Sequence, residues 1–211
     1  MNIFIRNEMP NDYEAILRLT YEAFLTLDYP GRRRIDEHYL IHLLQNSPHV
    51  IPELCYVVEA EGKIVGHILY TKSKVIRPDE TEVQTVTFGP LSVHPQYHRQ
   101  GIGRMLVNRS MEKAREMGFA AVLITGVPDY YPKLGFVRAR EYGLTLPDGS
   151  SDDSFMAYEL KSGALHGGGT LRFLSEAEFD RAEQDDAGFA AFHQAFMRAY
   201  YPGQAGDPTA Y

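Results

Sequence analysis

Leu91-Ser92-Val93-His94-Pro95-Gln96-Tyr97-His98-Arg99-Gln100-Gly101-Ile102-Gly103-Arg104 is the most informative stretch of this 211-residue chain. It reads as the end of a strand, a polar loop, and a helix entrance carrying two glycines. The first turn of a helix leaves backbone N–H groups without intrahelical partners and carries the positive end of the macrodipole. Such an entrance suits an anion, and a pyrophosphate in particular. Glycine at 101 and 103 admits phosphate to the main chain with no Cβ in the way, and Arg99 and Arg104 add positive charge. Two rival nucleotide motifs fail here. A dinucleotide fingerprint would place a third glycine where Leu106 stands and an acidic residue near position 121; a P-loop would need Gly-Lys-Ser/Thr.

Downstream, the pattern predicts a helix over 101–117, with Ile102, Met105, Leu106, Ala114 and Met117 on one face and Gly118 closing it. Ala120 to Thr125 is a short apolar run of the kind that makes a buried central strand. Phe136–Arg140 and Ser154–Leu160 read as two further strands. Upstream, Ile3–Arg6 is a first strand, and Pro10-Asn11-Asp12 opens a helix that Tyr29-Pro30-Gly31 breaks. A second helix spans 35–44. Leu54–Ala60 and Lys63–Lys72 form a hairpin turning at Glu61-Gly62. Glu82–Val93 continues the meander. Gly89-Pro90 removes a ladder donor within it, so a bulge or local splaying is expected there.

After Lys161 the composition changes. Residues 162–169, with three consecutive glycines, read as a linker rather than a phosphate cradle, because no helix starts directly behind them. Ser175-Glu176-Ala177-Glu178 matches a capping box. Gly188 is read as dividing the helical segment, after which Phe189, Phe192, Phe196 and Tyr200 form an aromatic stripe that packs on the core or on a subunit partner. Pro202 to Tyr211 read as a flexible end. The expected division is a core domain over 1–161 and a linker plus helical C-terminal extension over 162–211.

A net charge of −7 opposes a general nucleic-acid binder, which needs a basic face. Cys55 is the only cysteine, so an intrachain disulfide and a multi-thiolate metal site are both excluded; its apolar neighbours mark it as a buried small residue. The first ten residues lack a signal-peptide pattern, and no run reaches the roughly 18–20 apolar residues of a membrane span. The expected location is therefore cytoplasmic, with no membrane partner and no metal.

His98-Arg99-Gln100-Gly101-Ile102-Gly103 resembles the Gln/Arg-x-x-Gly-x-Gly/Ala loop of the GNAT N-acetyltransferase family, with His98 where glutamine or arginine is usual. Tyr131-Pro132-Lys133-Leu134-Gly135-Phe136 resembles the family's Tyr-x-x-x-Gly-Phe block, although Val127-Pro128-Asp129 replaces the common preceding asparagine. The Gly-Pro-Leu bulge and the paired tyrosines are most similar to the YhbS-like branch. The resemblance covers residues 1–161. It implies an α/β fold with a mixed, mostly antiparallel twisted sheet flanked by helices, the fourth and fifth strands splayed around acetyl-CoA. It further implies that the main chain of Leu91, Ser92 and Val93 bonds the pantetheine arm, while His98, Arg99, Gln100, Gly101, Ile102, Gly103 and Arg104 hold the pyrophosphate.

Acetyl transfer to an amine needs a neutral nucleophile, a stabilised oxyanion and a leaving thiolate. The resemblance makes Tyr131 the group at the departing sulfur. A tyrosine pKa near ~10 against ~8.5 for a thiol makes full proton transfer uphill by about 2 kcal/mol, so Tyr131 is read as a hydrogen-bond donor. Tyr130 is read as structural. Glu53, Glu59, Glu82 and His67 are candidate general bases by type, each with a strand-pairing or surface role as the simpler reading, and His94 is read as ending its strand. Arg32-Arg33-Arg34 reads as a solvated loop near the acceptor entrance. The alternative to an enzyme is a CoA-binding regulatory domain with little turnover. The expected partners are an amine-bearing small molecule or peptide and, through the extension, a second subunit in a homodimer.

Overall fold

The computed structural model describes residues 3–27, 33–166, 169–175 and 179–203. The predicted break at Tyr29-Pro30-Gly31, Arg32, most of the capping box and the end from residue 204 lie outside the described residues. Among the described residues, nine strands form one sheet: β1 (Ile3–Asn7), β2 (Tyr56–Ala60), β3 (Lys63–Ile76), β4 (Glu82–Val93), β5 (Ala121–Thr125), β6 (Val137–Arg138), β7 (Leu144–Thr145), β8 (Phe155–Glu159) and β9 (Leu171–Ser175). The main order is β1-β2-β3-β4-β5-β8-β6, with β9 on β3 and β7 on β9. Pairing is antiparallel except β4–β5 and β7–β9. The α-helices of the described residues are α1 (Tyr13–Leu25), α2 (Glu37–Leu44), α3 (Ile102–Glu116), α4 (Phe179–Gln184) and α5 (Asp186–Tyr200).

The β2–β3 hairpin turns where expected, with Glu61 at φ 53° and Gly62 at φ 75°, the left-handed pair of a tight hairpin turn. The β3–β4 register shifts between Ile68, opposite Leu91, and Tyr70, opposite Phe88. One extra residue on β4 is accommodated across Gly89-Pro90, which is the predicted bulge. Parallel pairing of β4 with β5 is confined to Val86–Val122 and Thr87–Leu123. Beyond it β4 runs on through Phe88 to Val93 with no strand on that edge among the described residues. The two strands diverge, as the resemblance implied.

One layer lies between the sheet and α3. Tyr56, Ile68, Tyr70, Val86 and Phe88 meet Ile102, Leu106, Val107 and Met111 there. Gly66 sets the approach: a Cβ on it would lie 2.6 Å from Ile102 Cγ2 and 3.1 Å from a Leu106 methyl. The buried face of α3 differs from the predicted one. It runs Ile102, Leu106, Val107, Ser110, Met111 and Ala114, whereas Met105 and Met117 are exposed. Ser110 hides that stripe in the sequence, because its hydroxyl is satisfied by the Leu106 carbonyl and by the buried Tyr70 hydroxyl.

The opposite layer joins α1 and α2 to the C-terminal helix. Phe189 and Phe196 are buried against Tyr21, His38 and Tyr39, so the aromatic stripe packs on its own chain. The helical segment divides at Asp185, not at Gly188. The Asp185 carboxylate accepts from Gly188 N–H at 2.8 Å and caps α5, holding Gly188 inside the helix. The extension is also not wholly helical. β9 pairs antiparallel with β3 from Ser73–Ser175 to Ile76–Arg172, continuing the edge that β2 leaves. Of the predicted strand at Phe136–Arg140 only Val137–Arg138 is a strand; a short 3-10 turn follows.

Candidate cosubstrate and catalytic site

Three segments converge where β4 and β5 part. The first is the free edge of β4. Ser92 is buried, its hydroxyl donating to Thr20 Oγ1 at 3.0 Å and fixing the strand against α1. Leu91 and Val93 face α3 and pack against that core. The Val93 carbonyl is already engaged: His98 Nε2 lies 2.8 Å from it and must carry the proton to donate. The departure from the family's glutamine or arginine thus ties the loop back to the strand it leaves.

The second segment is the helix entrance. Pro95–Tyr97 form a 3-10 turn, Gln100 Nε2 donates to the Gln96 carbonyl at 3.0 Å, and Arg99 takes φ 60°. Gly101, at φ 86°, is the N-cap of α3, and no side chain caps that end. Met105 N–H bonds the Gly101 carbonyl, so the N–H groups of Ile102, Gly103 and Arg104 precede the first intrahelical partners. Arg99 and Arg104 are exposed and enter no ion pair among the described residues. An uncapped helix start beside two such cations suits a phosphate group electrostatically.

The third segment follows β5. Tyr131 begins a 3-10 turn through Leu134, and its ring lies 5.8 Å from Phe88 and 5.7 Å from Phe136. It is half-buried against the α3-side core, beside the β4 bulge where β4 and β5 diverge. Tyr130 does not pack in the core. It is 36% exposed, stands edge-on to Tyr131 and reaches toward Gly103 at the start of α3.

Three of the four candidate bases are engaged with other side chains. Glu59 is paired with Arg6, and Glu82 with Lys74 at 2.7 Å. Glu53 is exposed in the 3-10 turn Pro52–Leu54, and His67 is fully buried with Nε2 2.9 Å from Glu8. Cys55 is buried, and burial pushes its thiol up to about 12, which removes it as a nucleophile. Arg34 is not a solvated loop residue. Its guanidinium donates to the Ala182 and Glu183 carbonyls, pairs with Asp186 and covers the Phe189 ring at 4.3 Å. Sequence reasoning also missed a cluster at the end of β4, where Tyr201 donates to Glu22 at 2.7 Å and Glu22 lies 3.5 Å from His94. Its members are far apart in sequence and carry no motif.

Among the described residues, no helix is long and apolar enough to cross a membrane. The model of the acetyltransferase (GNAT) family matches residues 14–136. The uncharacterised N-acetyltransferase YhbS of Escherichia coli is 28% identical over 168 residues, 78% of this chain and 92% of YhbS. The crystal structure of E. coli YhbS in complex with CoA is similar at a TM-score of 0.69 and 26% identity, over 82% of this chain and 91% of that one. A GNAT acetyltransferase from Brucella melitensis, in complex with acetyl-CoA, shares the fold at a TM-score of 0.62 and 22% identity, over 81% and 94% of the two chains.

Proposed function

The chain belongs to the acetyltransferase (GNAT) family, and from that premise we propose that its acceptor is an amine, acetylated within the opening between β4 and β5. Acetyl-CoA is the acetyl donor. The observation that carries the reading is the divergence of β4 from β5 beyond Thr87, bounded by the uncapped start of α3 and by Tyr131.

The main chain of Leu91, Ser92 and Val93 supplies an edge for the pantetheine arm, less the Val93 carbonyl that His98 uses. Gly101, Ile102, Gly103 and Arg104 offer N–H groups to the pyrophosphate, with Arg99 and Arg104 adding charge; His98 and Gln100 hold the loop in shape. Tyr131 donates a hydrogen bond to the departing sulfur; the acceptor attacks as the neutral amine, and its nitrogen, cationic in the tetrahedral intermediate, is the net source of the proton that the leaving thiolate takes up. Residues 1–161 carry this chemistry. Within the C-terminal extension, β9 (Leu171–Ser175) adds to the sheet and α5 (Asp186–Tyr200) covers α1 and α2.

The test is thiol release from acetyl-CoA against a panel of small amines, polyamines, aminoglycosides and peptides. Amine-dependent release with at least one class is expected. Tight CoA binding with no release for any amine would favour the regulatory-domain alternative.

A further inference from the structure

The loop after β5 brings a second tyrosine to the opening. Tyr130 N–H bonds the Val127 carbonyl at 3.1 Å, which closes a tight turn, and its ring stands edge-on to Tyr131 with centroids 5.0 Å apart. These contacts aim the phenol away from the core and toward the first turn of α3. A Cβ built on Gly103 would come within 2.7 Å of Tyr130 Oη, and within 3.8 Å of Val93 Cγ2. The end of β4, the start of α3 and the loop after β5 therefore meet around one phenolic oxygen. That oxygen has no hydrogen-bond partner among the described residues, although its ring is packed.

We infer that the Tyr130 hydroxyl is a ligand of the cosubstrate's pyrophosphate, donated across the opening toward the N–H groups of Ile102, Gly103 and Arg104. The inference rests on the reading of residues 98–104 as the pyrophosphate loop. An aromatic ring stacked edge-on against its neighbour, with a polar tip beside uncapped N–H groups, is suited to complete an anion site. Burial raises the Tyr130 pKa, against the opposing influence of Arg104, so the phenol is a donor at neutral pH. The second glycine of the loop gains a second reason. A Cβ at 103 would have to displace the phenol, so glycine there lets Tyr130 approach the helix start this closely.

Calorimetric titration of wild type, Tyr130→Phe and Gly101→Asp with CoA, dephospho-CoA and pantetheine decides the matter. Tyr130→Phe keeps the ring and removes only the donor. It is expected to weaken CoA and dephospho-CoA alike by about tenfold, as for a lost hydrogen bond to a charged group, and to leave pantetheine unchanged. Wild-type affinity for CoA in Tyr130→Phe overturns the inference. So does an equal loss on pantetheine, which moves the contact to the arm, or a loss on CoA alone, which moves it to the 3′-phosphate. If Gly101→Asp weakens CoA while Tyr130→Phe does not, the loop reading stands and only the tyrosine's part falls. If both bind as wild type, the loop reading itself fails.

Discussion

The ring of Tyr131 lies directly over Gly126: a Cβ built on Gly126 would come within 2.4 Å of Tyr131 Cε2 and 3.0 Å of Cδ2. Gly126 directly follows β5, and its N–H donates to the Ser154 carbonyl at 3.0 Å. The strand terminus thus sets where the phenol stands at the divergence of β4 and β5.

Tyr131→Phe is expected to lower single-turnover acetyl transfer by about 10- to 100-fold, with acetyl-CoA affinity nearly unchanged. A donor that acts mainly in the transition state costs about 10²–10³ at well-formed oxyanion sites, and a thiolate is a stable leaving group that needs less help. Gly126→Ala displaces the same ring and should fall in the same direction, with no further loss when the two are combined. Tyr130→Phe should spare the rate at saturating acetyl-CoA. A wild-type rate for Tyr131→Phe would remove it from the chemical step.

The C-terminal extension is predicted to be integral to stability. Phe196 is 3% exposed and stands edge-on to Tyr21, with centroids 5.2 Å apart. Phe196→Ala should destabilise the fold by about 3–5 kcal/mol in a denaturant titration. Truncation after Lys161 removes both β9 from β3 and α5 from its partners, and should lower the thermal midpoint further still. Unchanged melting in both variants would contradict this packing account.

Stability is also expected to depend on pH through His193. Burial lowers its pKa, and its Nδ1 lies 2.9 Å from Nε2 of the buried His38. One imidazole must present a lone pair to the other, so the bond requires that at least one ring be neutral. The folded pKa is below the unfolded value near ~6.5, so this contribution is complete above ~6.5 and diminishes as pH falls below it. Thermal midpoints measured from pH 8 to pH 5.5 should decline in the wild type and decline less steeply in His193→Phe. A parallel decline in both proteins would rule out His193 as the source.

The sequence carried the loop at 98–104, the Tyr131–Phe136 block and the Gly89-Pro90 bulge plainly, because each depends on residues close together whose backbone chemistry is distinctive. Long-range features were less legible. Leu171–Ser175 lies beside the glycine-rich stretch and has no pattern longer than five residues, so only its pairing with β3 reveals a strand. Met105 and Met117 were assigned inward because Ser110 interrupts the true apolar stripe, and its buried hydroxyl is explained only by Tyr70 from β3. Arg34 reads as solvated until Asp186 and Phe189, some 150 residues on, come into contact with it. Likewise, nothing at position 130 announces its approach to Gly103.

If acetyl-CoA is held at the entrance of α3, calorimetry of acetyl-CoA binding to Gly101→Asp reads it out directly. Gly101 takes φ 86°, so the substitution also strains the N-cap; circular dichroism must first show that the variant is folded. A carboxylate among these N–H groups would occupy and repel the pyrophosphate's position, so affinity should fall by at least about tenfold. A folded Gly101→Asp that binds acetyl-CoA as tightly as the wild type would contradict the account.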